Sequence, residues 1–308
     1  MAAKRLIVLG SVNADHVLRV EQFPRPGETL VGHDYQVIPG GKGANQAVAA
    51  ARFGADIGFI ACVGADDFGS RMISEFQKDG MDTRAVMQVP DKPTGIAFIQ
   101  IAASGENSIV ISAEANACLT PKAIEPHLAY VRQAETLLMQ LESPMETIML
   151  AADEARKAGV TVILNPAPAR PLPDELLASL TMITPNETEA AVLTGVEVKS
   201  EADARKAAAI LRGKGVESVI ITLGAQGAFY SGADGDRLIP GFRVQATDTT
   251  AAGDTFNGAL AGALQEGLGI DEAIRMAHAA AAISVTRLGA QTSVPYRTEI
   301  DEFLTAHS

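Results

Sequence analysis

Short apolar runs alternate with helical patterns along nearly the whole chain. The apolar runs are rich in β-branched residues and lie at Leu6–Leu9, 57–63, 137–141, 160–164, 182–184 and 219–223. The helical patterns fall at 45–53, 68–78, 146–158, 187–193 and 202–214, followed by two long Ala-rich helices at 254–265 and 271–285. Short, wholly apolar strands separated by helices are typical of βαβ units. The sequence therefore predicts an α/β fold, with a mostly parallel central sheet covered by helices on both faces.

The composition of the 308 residues limits which partners and which cellular compartment are expected for the protein. A net charge of −12 argues against nucleic acid, because binding to a phosphate backbone depends on Lys and Arg. The first apolar run soon meets Gly10 and Asn13, and no apolar stretch of about 18 residues follows, so neither a signal peptide nor a membrane span is expected. Cys62 and Cys118 are too few for a disulfide framework and are expected to be buried thiols. We therefore expect a cytoplasmic protein with no membrane or nucleic-acid partner.

Two stretches interrupt the alternation of strands and helices. Residues 16–38 and 94–112 each contain two strand-like runs with no helix between them, and polar and apolar residues alternate in places, as in antiparallel hairpins. The two hairpins are expected either to meet as one small sheet that acts as a lid, or to be edge hairpins of the main sheet. On the first interpretation the core comprises 1–13, 41–93 and 114–308, and the lid comprises 14–40 and 94–113.

The segment 248–260 carries the most informative chemistry. Its small residues Ala251, Ala252 and Gly253 run into a helical pattern that opens near Asp254. A helix N-terminus presents unpaired N–H groups and a partial positive charge that bind anions, and small side chains let a phosphate approach the backbone. A carboxylate at that point is predicted to accept the proton of a hydroxyl that attacks the phosphate. The alternative is that Asp254 is an ordinary helix N-cap.

A glycine-rich segment precedes the first predicted helix. Gly43 stands where a Walker A motif needs Ser or Thr, so the segment is no P-loop. The first strand is not followed by G-x-G-x-x-G either, which disfavours a dinucleotide-dependent dehydrogenase. Glycines at the start of a helix still permit backbone contact with a polar ligand. Lys42 and Asn45 are predicted to donate hydrogen bonds to its hydroxyl groups.

Other polar residues directly follow predicted strands, which is where open α/β sheets bind their ligands. Asn13 and Asp15 follow the first run, and Glu142 follows the third. An ionised carboxylate has two acceptor oxygens and suits two neighbouring hydroxyls of a sugar diol. Taken singly, each of these carboxylates is better explained as a solvated loop residue.

Three later features are open to a nucleotide interpretation and to a purely structural one. Asn186 and Glu189 form a helix-capping box or orient a hydrated Mg²⁺ ion and phosphates. His278, in an Ala-rich helix, is more often a core or surface histidine than a ligand. A glycine-bounded turn suits nucleotide contact but is also common as a plain turn; it comprises Thr222, Leu223, Gly224, Ala225, Gln226 and Gly227.

The polar segments combine into motifs spread over the chain: GSVNAD at 10–15, GGKGANQA at 40–47, LNPAPAR at 164–170, TPNETE at 184–189, TLGAQG at 222–227, DTTAAGDTFNGA at 248–259 and HAAAAISVTRLGAQTSVP at 278–295. Together they resemble the ribokinase/PfkB family of carbohydrate kinases, over essentially the whole chain. The resemblance implies transfer of the γ-phosphate of ATP to the 5-hydroxyl of D-ribose, with Mg²⁺ and activation by a monovalent cation (K⁺). The family's lid is a four-stranded sheet that commonly pairs with that of a second subunit, so the inserted hairpins imply a homodimer.

The resemblance also implies roles for individual residues. Asp254 would be the catalytic base, and the amides of Ala251, Ala252 and Gly253 would form an anion hole. The sugar would be held by Asn13, Asp15, Gly41, Lys42, Gly43, Asn45 and Glu142. The nucleotide site would include Asn186, Glu189, His278 and the turn from Thr222 to Gly227. The positions around the monovalent cation are matched by Asp248, Thr250, Ser284, Arg287, Gly289 and Ser293.

One position departs from the family pattern. Members of the family often have glycine in the turn near 113–116, where this chain has Glu114. If that turn requires a positive φ, glutamate is strained there. The departure concerns the junction between lid and core and leaves the chemistry unaffected.

Two competing functions stay open on the sequence. The chain could phosphorylate another sugar or a nucleoside, or it could be a sugar-binding regulator that has lost catalysis. The presence of both Asp254 and the small residues before it argues against the regulator, since a pure binder does not need the base.

Overall fold

The computed structural model describes residues 5–307. Its strands are β1 Leu6–Leu9, β2 Asn13–Val20, β3 His33–Gly40, β4 Ile57–Gly64, β5 Asp82–Val89, β6 Gly95–Ala102, β7 Asn107–Ser112, β8 Thr136–Met139, β9 Thr161–Leu164, β10 Met182–Ile183, β11 Ser218–Thr222, β12 Gly227–Gly232 and β13 Gly235–Pro240. Its helices are α1 Lys42–Phe53, α2 Asp67–Lys78, α3 Pro121–Ile124, α4 Leu128–Gln133, α5 Met145–Lys157, α6 Asp174–Ala178, α7 Glu187–Thr194, α8 Glu201–Gly213, α9 Ala252–Gln265, α10 Ile270–Ser284 and α11 Arg297–Ala306.

Nine strands of the described chain form one large sheet in the order β13-β12-β11-β10-β9-β8-β1-β4-β5. Neighbours from β11 through β5 pair in parallel, whereas β12 and β13 are added antiparallel at one end. β1 lies in the middle of this sheet, with Leu6 beside Ile57 on one side and Thr136 on the other. The predicted α/β fold with a mostly parallel sheet is confirmed.

Helices cover both faces of the large sheet and create two apolar cores. Leu6 and Val8 of β1 point into one core, and Ile7 and Leu9 point into the other, because successive side chains of a strand face opposite ways. The first core is completed mainly by α1, α9 and α10, and the second mainly by α4, α5 and α8. Burial on both faces explains why β1 is apolar at every position instead of alternating.

A second sheet contains four strands in the order β3-β2-β6-β7. The pairs β2–β3 and β6–β7 are antiparallel, as predicted, and β2 pairs in parallel with β6 to join the two hairpins. The alternative that they are edge hairpins of the main sheet is therefore wrong. The strands at Asn13–Gly40 and Gly95–Ser112 lie close to the predicted lid boundaries, while the action of this sheet as a lid stays a prediction.

Glu114 lies where the chain leaves the small sheet. Its φ is 46°, so the condition stated for this turn is met: the backbone is left-handed, and a side chain there is strained. Oε1 of Glu114 accepts a hydrogen bond from Oγ of Ser112 at 2.6 Å. Nearby, Nδ2 of Asn116 donates to Oδ1 of Asn13 at 2.8 Å. Side-chain hydrogen bonds thus hold the junction despite its conformational cost.

Some elements escape the sequence pattern. β5 is an edge strand that carries Asp82 and Arg84, which hydrogen-bond to each other, and its charges weaken the apolar signal of a strand. The hairpin of β12 and β13 adds antiparallel strands where only parallel units are predicted. The short helices α3, α4 and α6 span too few turns to show a helical period.

The cysteines and the helices bear on the expected compartment. Cys62 is buried, as expected, and burial raises the pKa of its thiol to about 12. The expectation for Cys118 is wrong, because that residue is only half-buried. No helix within residues 5–307 combines the length and the apolar character that crossing a bilayer demands.

Candidate active site

The start of α1 lies directly against the end of β1. A Cβ on Gly43 would come within 2.4 Å of the amide nitrogen of Ser11. Gly41 has a φ of 91°, and a Cβ there would come within 2.8 Å of the amide nitrogen of Asn13. Only glycine permits such contacts. The two predicted ligand-binding glycines therefore also place the polar end of α1 beside β2.

The helix α9 begins at Ala252 and has Asp254 in its first turn. Ala251 precedes the helix in a left-handed conformation with a φ of 58°. Asp254 is therefore the third residue of the helix, and the alternative that it is an ordinary N-cap is wrong. Of the three amides predicted to form an anion hole, that of Ala252 donates to the carbonyl oxygen of Thr249 at 3.2 Å. An anion must share or replace that bond.

Two side chains of α1 hold the carboxylate of Asp254. Asn45 donates from Nδ2 to Oδ2 at 3.0 Å, and Gln46 donates from Nε2 to Oδ1 at 2.9 Å. Oδ1 of Asn45 in turn accepts a hydrogen bond from Nε2 of Gln291 at 3.3 Å. The structure thus places Asn45, which the resemblance assigns to the sugar, in contact with the candidate base. Asp254 itself is only 6% exposed.

Asp15, on β2, is a buried carboxylate with an oxygen that lacks a partner. The residue is 8% exposed, and no described residue hydrogen-bonds to its Oδ1. Burial and, secondarily, the charge of Glu142 raise the pKa of Asp15 to about 7, although Lys42 opposes the rise. A hydroxyl group of a ligand would supply the missing hydrogen-bond donor.

Lys42 lies among four carboxylates. The charge of Asp254 is the main cause that raises the pKa of Lys42, with burial opposing it and Glu142, Glu189 and Asp15 adding to the rise. Oε2 of Glu142 accepts hydrogen bonds from Oγ of Ser11 at 2.6 Å and from the backbone amide of Lys42 at 3.0 Å. The protein itself therefore orients Glu142, and the ammonium group of Lys42 stays charged.

Two adjoining cavities open at this end of the sheet. The smaller has a volume of about 210 Å³ and is lined by Lys42, Glu189 and Asp254 among others. The larger has a volume of about 410 Å³ and apolar walls that include Phe242. The cavities meet at the start of α9, because both are lined by Asn186, Thr222, Thr249, Ala252 and Gly253.

The predicted nucleotide-binding turn contributes only part of its residues to the larger cavity. Thr222, Gly224 and Ala225 line it. Leu223, Gln226 and Gly227 line neither cavity; the amide of Leu223 donates to the carbonyl oxygen of Gly227 at 2.8 Å and closes the turn.

His278 lies in the wall of the larger cavity. Nε2 of His278 has no hydrogen-bond partner among the described residues. Burial lowers the pKa of this imidazole to about 4, so the ring is neutral at neutral pH. Its centroid lies 5.0 Å from that of Phe256, which also lines the cavity. A neutral ring beside an aromatic one suits a flat, uncharged ligand group.

Asn186 and Glu189 form the capping box of α7 and also line the smaller cavity. Oδ1 of Asn186 accepts from the amide of Glu189 at 2.8 Å, and Oε2 of Glu189 accepts from the amide of Asn186 at 2.9 Å. Burial raises the pKa of Glu189. The structural interpretation is therefore confirmed, and the position in the cavity wall keeps the ligand interpretation open.

The residues that match the family's monovalent-cation positions fall into two segments, 248–250 and 284–293. Asp248 hydrogen-bonds to both segments. Oδ1 of Asp248 accepts from the amide of Thr250, and Oδ2 accepts from the amide of Gly289, both at 2.9 Å. The remaining side chains have partners outside the proposed site, since Ser284 donates to Ala281, Ser293 donates to Ala290 and Arg287 pairs with Glu299. Each of these residues offers a cation its backbone carbonyl group, and the two serines also keep hydroxyl lone pairs.

Comparison with known proteins assigns the chain to a family. A family model described as pfkB family carbohydrate kinase matches residues 3–297. The chain belongs to this family. It is 56% identical to a ribokinase of Haemophilus influenzae over 301 residues, which cover 98% of each chain. A crystal structure of ribokinase from Thermotoga maritima is 41% identical, with a TM-score of 0.89, over 97% of this chain and 99% of that one.

A pfkB-family structure with ligands is also similar. The structure of Arabidopsis thaliana ribokinase complexed with ribose and ATP is 35% identical to this chain, with a TM-score of 0.92, over 98% of this chain and 99% of that one. Membership of a carbohydrate kinase family makes the chain an enzyme that transfers phosphoryl groups. The fold is that of these ribokinase structures.

The structure adds site residues to which the sequence analysis assigns no role, although Gln46 and Asn165 lie within the motifs at 40–47 and 164–170. Gln46, Gln140 and Asn165 form a buried hydrogen-bonded group next to Asp254. Phe242 of the larger cavity lies in no motif. The sequence gives one indication for Gln46: it is a polar residue among the small apolar residues of a helical pattern at 44–51. Nothing in the sequence marks Gln140 or Phe242, because only the folded sheet brings them to the site.

Proposed function

We propose that this pfkB-family kinase transfers the γ-phosphate of ATP to the 5-hydroxyl of D-ribose. The observation that carries the proposal is the position of Asp254, a buried carboxylate in the first turn of α9 where two cavities meet. The hydroxyl oxygen attacks the γ-phosphorus, its proton passes to Asp254, and the bond to the bridging oxygen breaks to release ADP. The ribokinase names of similar proteins support ribose as the acceptor.

The sugar is proposed to bind between the small sheet and the start of α1. Asp15 offers an oxygen without a partner to the hydroxyls of a diol, and Lys42 offers a charged donor. Fixing the diol end in this way directs the primary hydroxyl toward Asp254. Closure of the small sheet would exclude water, which otherwise competes as the phosphate acceptor.

The nucleotide is proposed to occupy the larger cavity. A volume of about 410 Å³ and apolar walls suit a purine base. The γ-phosphate would then reach the start of α9, which lines both cavities. The N–H groups and the dipole of that helix stabilise the charge that develops on the transferred phosphoryl group.

The donor set of the smaller cavity fits Mg²⁺. Among residues 5–307 there is no group of three or more His, Cys, Asp or Glu side chains that could hold a metal alone. Mg²⁺ does not need one, because it usually binds one or two carboxylates, substrate phosphates and several waters. We propose that Glu189 and Asn186 hold the water shell of the ion, which supplies positive charge to the phosphates.

We place K⁺ beside the two segments that Asp248 joins. The segment that begins at Asp248 continues directly into Ala251 and the start of α9. A cation held by backbone carbonyls there would fix this loop without touching the substrate. The fit rests on Asp248, which hydrogen-bonds to both segments and is the only carboxylate among the six matched positions.

A homodimer through the small sheet is proposed from its exposed face. Phe98 is 54% exposed and Val110 is 66% exposed, and they are directly paired across β6 and β7. The ring of His16 lies 5.3 Å from that of Phe98 and 5.9 Å from that of Tyr35, which extends the apolar surface across the sheet. A contiguous exposed apolar surface of this kind is typical of a protein–protein contact.

We also propose a cytoplasmic location. The reaction needs ATP, and both cysteines are free thiols, as in a reducing compartment.

The test of the proposed function is the formation of ADP from ATP with D-ribose, with and without K⁺. We expect ribose-dependent release of ADP, ribose 5-phosphate as the product by phosphorus NMR, and a higher rate with K⁺. A panel of other pentoses, hexoses and nucleosides distinguishes a kinase for another acceptor. Ribose binding by calorimetry without any ADP formation would point instead to a regulator.

A further inference from the structure

Gln46 is a buried side chain whose amide group is completely occupied by the protein. Nε2 donates to Oδ1 of Asp254 at 2.9 Å and to Oδ1 of Asn165 at 3.0 Å. Oε1 accepts from Nε2 of Gln140 at 2.6 Å. Gln46 is 0% exposed, so neither the sugar nor the nucleotide can touch it.

These neighbours permit only one orientation of the amide. If the group turned over, its oxygen would face two acceptor oxygens, those of Asp254 and Asn165. Asn165 cannot compensate by turning too, because its Nδ2 donates to the carbonyl oxygen of Thr184 at 3.2 Å. The N–H of Gln46 that points at Asp254 is therefore fixed by Gln140, which directly follows β8, and by Asn165, which directly follows β9.

We propose that Gln46 is a positioning residue for the catalytic base. Asn45 holds one carboxylate oxygen of Asp254 and Gln46 holds the other, from adjacent positions of α1. Two donors on opposite oxygens prevent the carboxylate from rotating, so its free lone pairs keep pointing at the hydroxyl that loses its proton. This inference rests on the proposed function, in which Asp254 accepts that proton. Small displacements of a catalytic group lower the rate strongly, by about 100-fold for 1 Å.

The first test is the variant Gln46→Met, which keeps the length of the side chain and removes both donors. We expect kcat to fall at least about 10-fold while the Kd for ribose, measured by calorimetry without ATP, stays within about threefold. The matched control is Thr147→Val, which removes another fully buried hydrogen bond, from Oγ1 to the carbonyl oxygen of Leu119, on α5. The control is expected to lose stability but keep the parent kcat.

A second variant keeps the proposal testable if Gln46→Met folds poorly. Gln140→Met leaves Gln46 in place but removes the donor that fixes its Oε1, so we expect an intermediate fall in kcat and again an unchanged Kd for ribose. A kcat at the parent level in both variants would overturn the proposal. So would a loss of kcat in Thr147→Val as large as that in Gln46→Met, because the effect would then be general loosening.

A crystal structure of Gln46→Met gives a readout that does not depend on turnover. We expect the carboxylate of Asp254 to rotate away from its parent orientation, and an unchanged carboxylate would overturn the proposal. Failure of the proposed function is distinguishable from failure of the role given to Gln46, because in the first case the parent protein itself would release no ADP with ribose. In that case the structure of the variant still decides whether Gln46 orients Asp254.

Discussion

Among single residues, the two buried carboxylates Asp254 and Asp15 differ in their hydrogen-bond partners. Asp254 has an amide donor on each oxygen, whereas Oδ1 of Asp15 has no partner among the described residues. An unpaired buried carboxylate favours its neutral form, because burial penalises the charge. The difference fits the proposed roles. Asp254, as the base, is oriented by the protein before the sugar binds, and Asp15, as a binding group, has an oxygen free to accept hydrogen bonds from the sugar hydroxyls.

If Asp15 binds the sugar as proposed, ribose binding should depend on pH. Its pKa is raised to about 7, so the carboxyl group is increasingly protonated as the pH falls below that value and accepts hydrogen bonds from the sugar less well. We expect the KM for ribose to rise several-fold as the pH falls from about 8 to about 6. Steady-state kinetics over this range measures it.

The control for this dependence is Asp15→Asn, which cannot ionise. Its KM for ribose should be at least about 10-fold higher than that of the parent and should not change over the same range of pH. A parent KM that is independent of pH would contradict the role given to Asp15.

The sequence predicts the charged residues of the site better than the uncharged ones. Asp15 and Asp254 each have an ordinary structural explanation when taken singly, as a solvated loop residue and as a helix N-cap, and only their combination with the other motifs points to a site. Asn45 is assigned to the sugar by the resemblance, yet it contacts Asp254. An amide serves a ligand or a protein group equally well, and only the packing of α1 against α9 decides between them.

At the scale of elements, the close approach of α1 and α9 puts the base next to its two amide donors. Gly258 makes this approach possible, since a Cβ there would come within 2.4 Å of the carbonyl oxygen of Gln46 and 2.5 Å of Cβ of Ala49. Any side chain at 258 must push the helices apart. The geometry at Asp254, one turn earlier in α9, therefore depends on a glycine that touches no ligand.

Gly258→Ala tests this dependence. We expect the free energy of unfolding to fall by about 2 kcal/mol, because the new methyl group overfills the interface, and kcat to fall at least about 10-fold. Urea unfolding and steady-state kinetics measure the two effects. Gly213→Ala, where a Cβ meets nothing within 4 Å, is the matched control and should leave kcat unchanged. A fully active Gly258→Ala would show that the helix spacing does not position the base.

Elements with a clear period are predictable from the sequence, and elements that depend on the sheet edge are not. The predicted helix at 68–78 compares with Asp67–Lys78 in the structure, and the predicted strand at Leu6–Leu9 has the observed bounds. β12 and β13 are not predicted, because they pair antiparallel at the end of an otherwise parallel series of strands. Glu114 differs from these strands, because the family pattern draws attention to the backbone conformation of this one residue. Its φ of 46° lies in the left-handed region.

At the scale of the whole molecule, the small sheet has one face toward the site and the other free of cover in the single chain. Asp15 and Ala97 are paired across β2 and β6 and are buried, whereas Phe98, the next residue along, points the other way and is half exposed. This alternation is what the sequence pattern predicts for a sheet with one buried face. The proposed homodimer would explain why apolar residues occupy the outer face.

Phe98→Lys tests the proposed homodimer. A charge in the middle of the exposed apolar face should shift the protein from dimer to monomer, as measured by sedimentation velocity. Ile210→Lys, on α8 and 38% exposed, is the matched control and should stay dimeric. A parent protein that sediments as a monomer at all concentrations would contradict the proposal.

Asp254→Asn tests the proposal that Asp254 takes the proton of the acceptor hydroxyl. The substitution keeps the shape of the side chain but removes the base, so kcat should fall by about 100-fold to 10,000-fold. Ribose binding, measured by calorimetry in the same variant, should stay within about threefold of the parent, since Asp15 and Lys42 are the residues proposed to hold the sugar. Turnover close to that of the parent would contradict the claim.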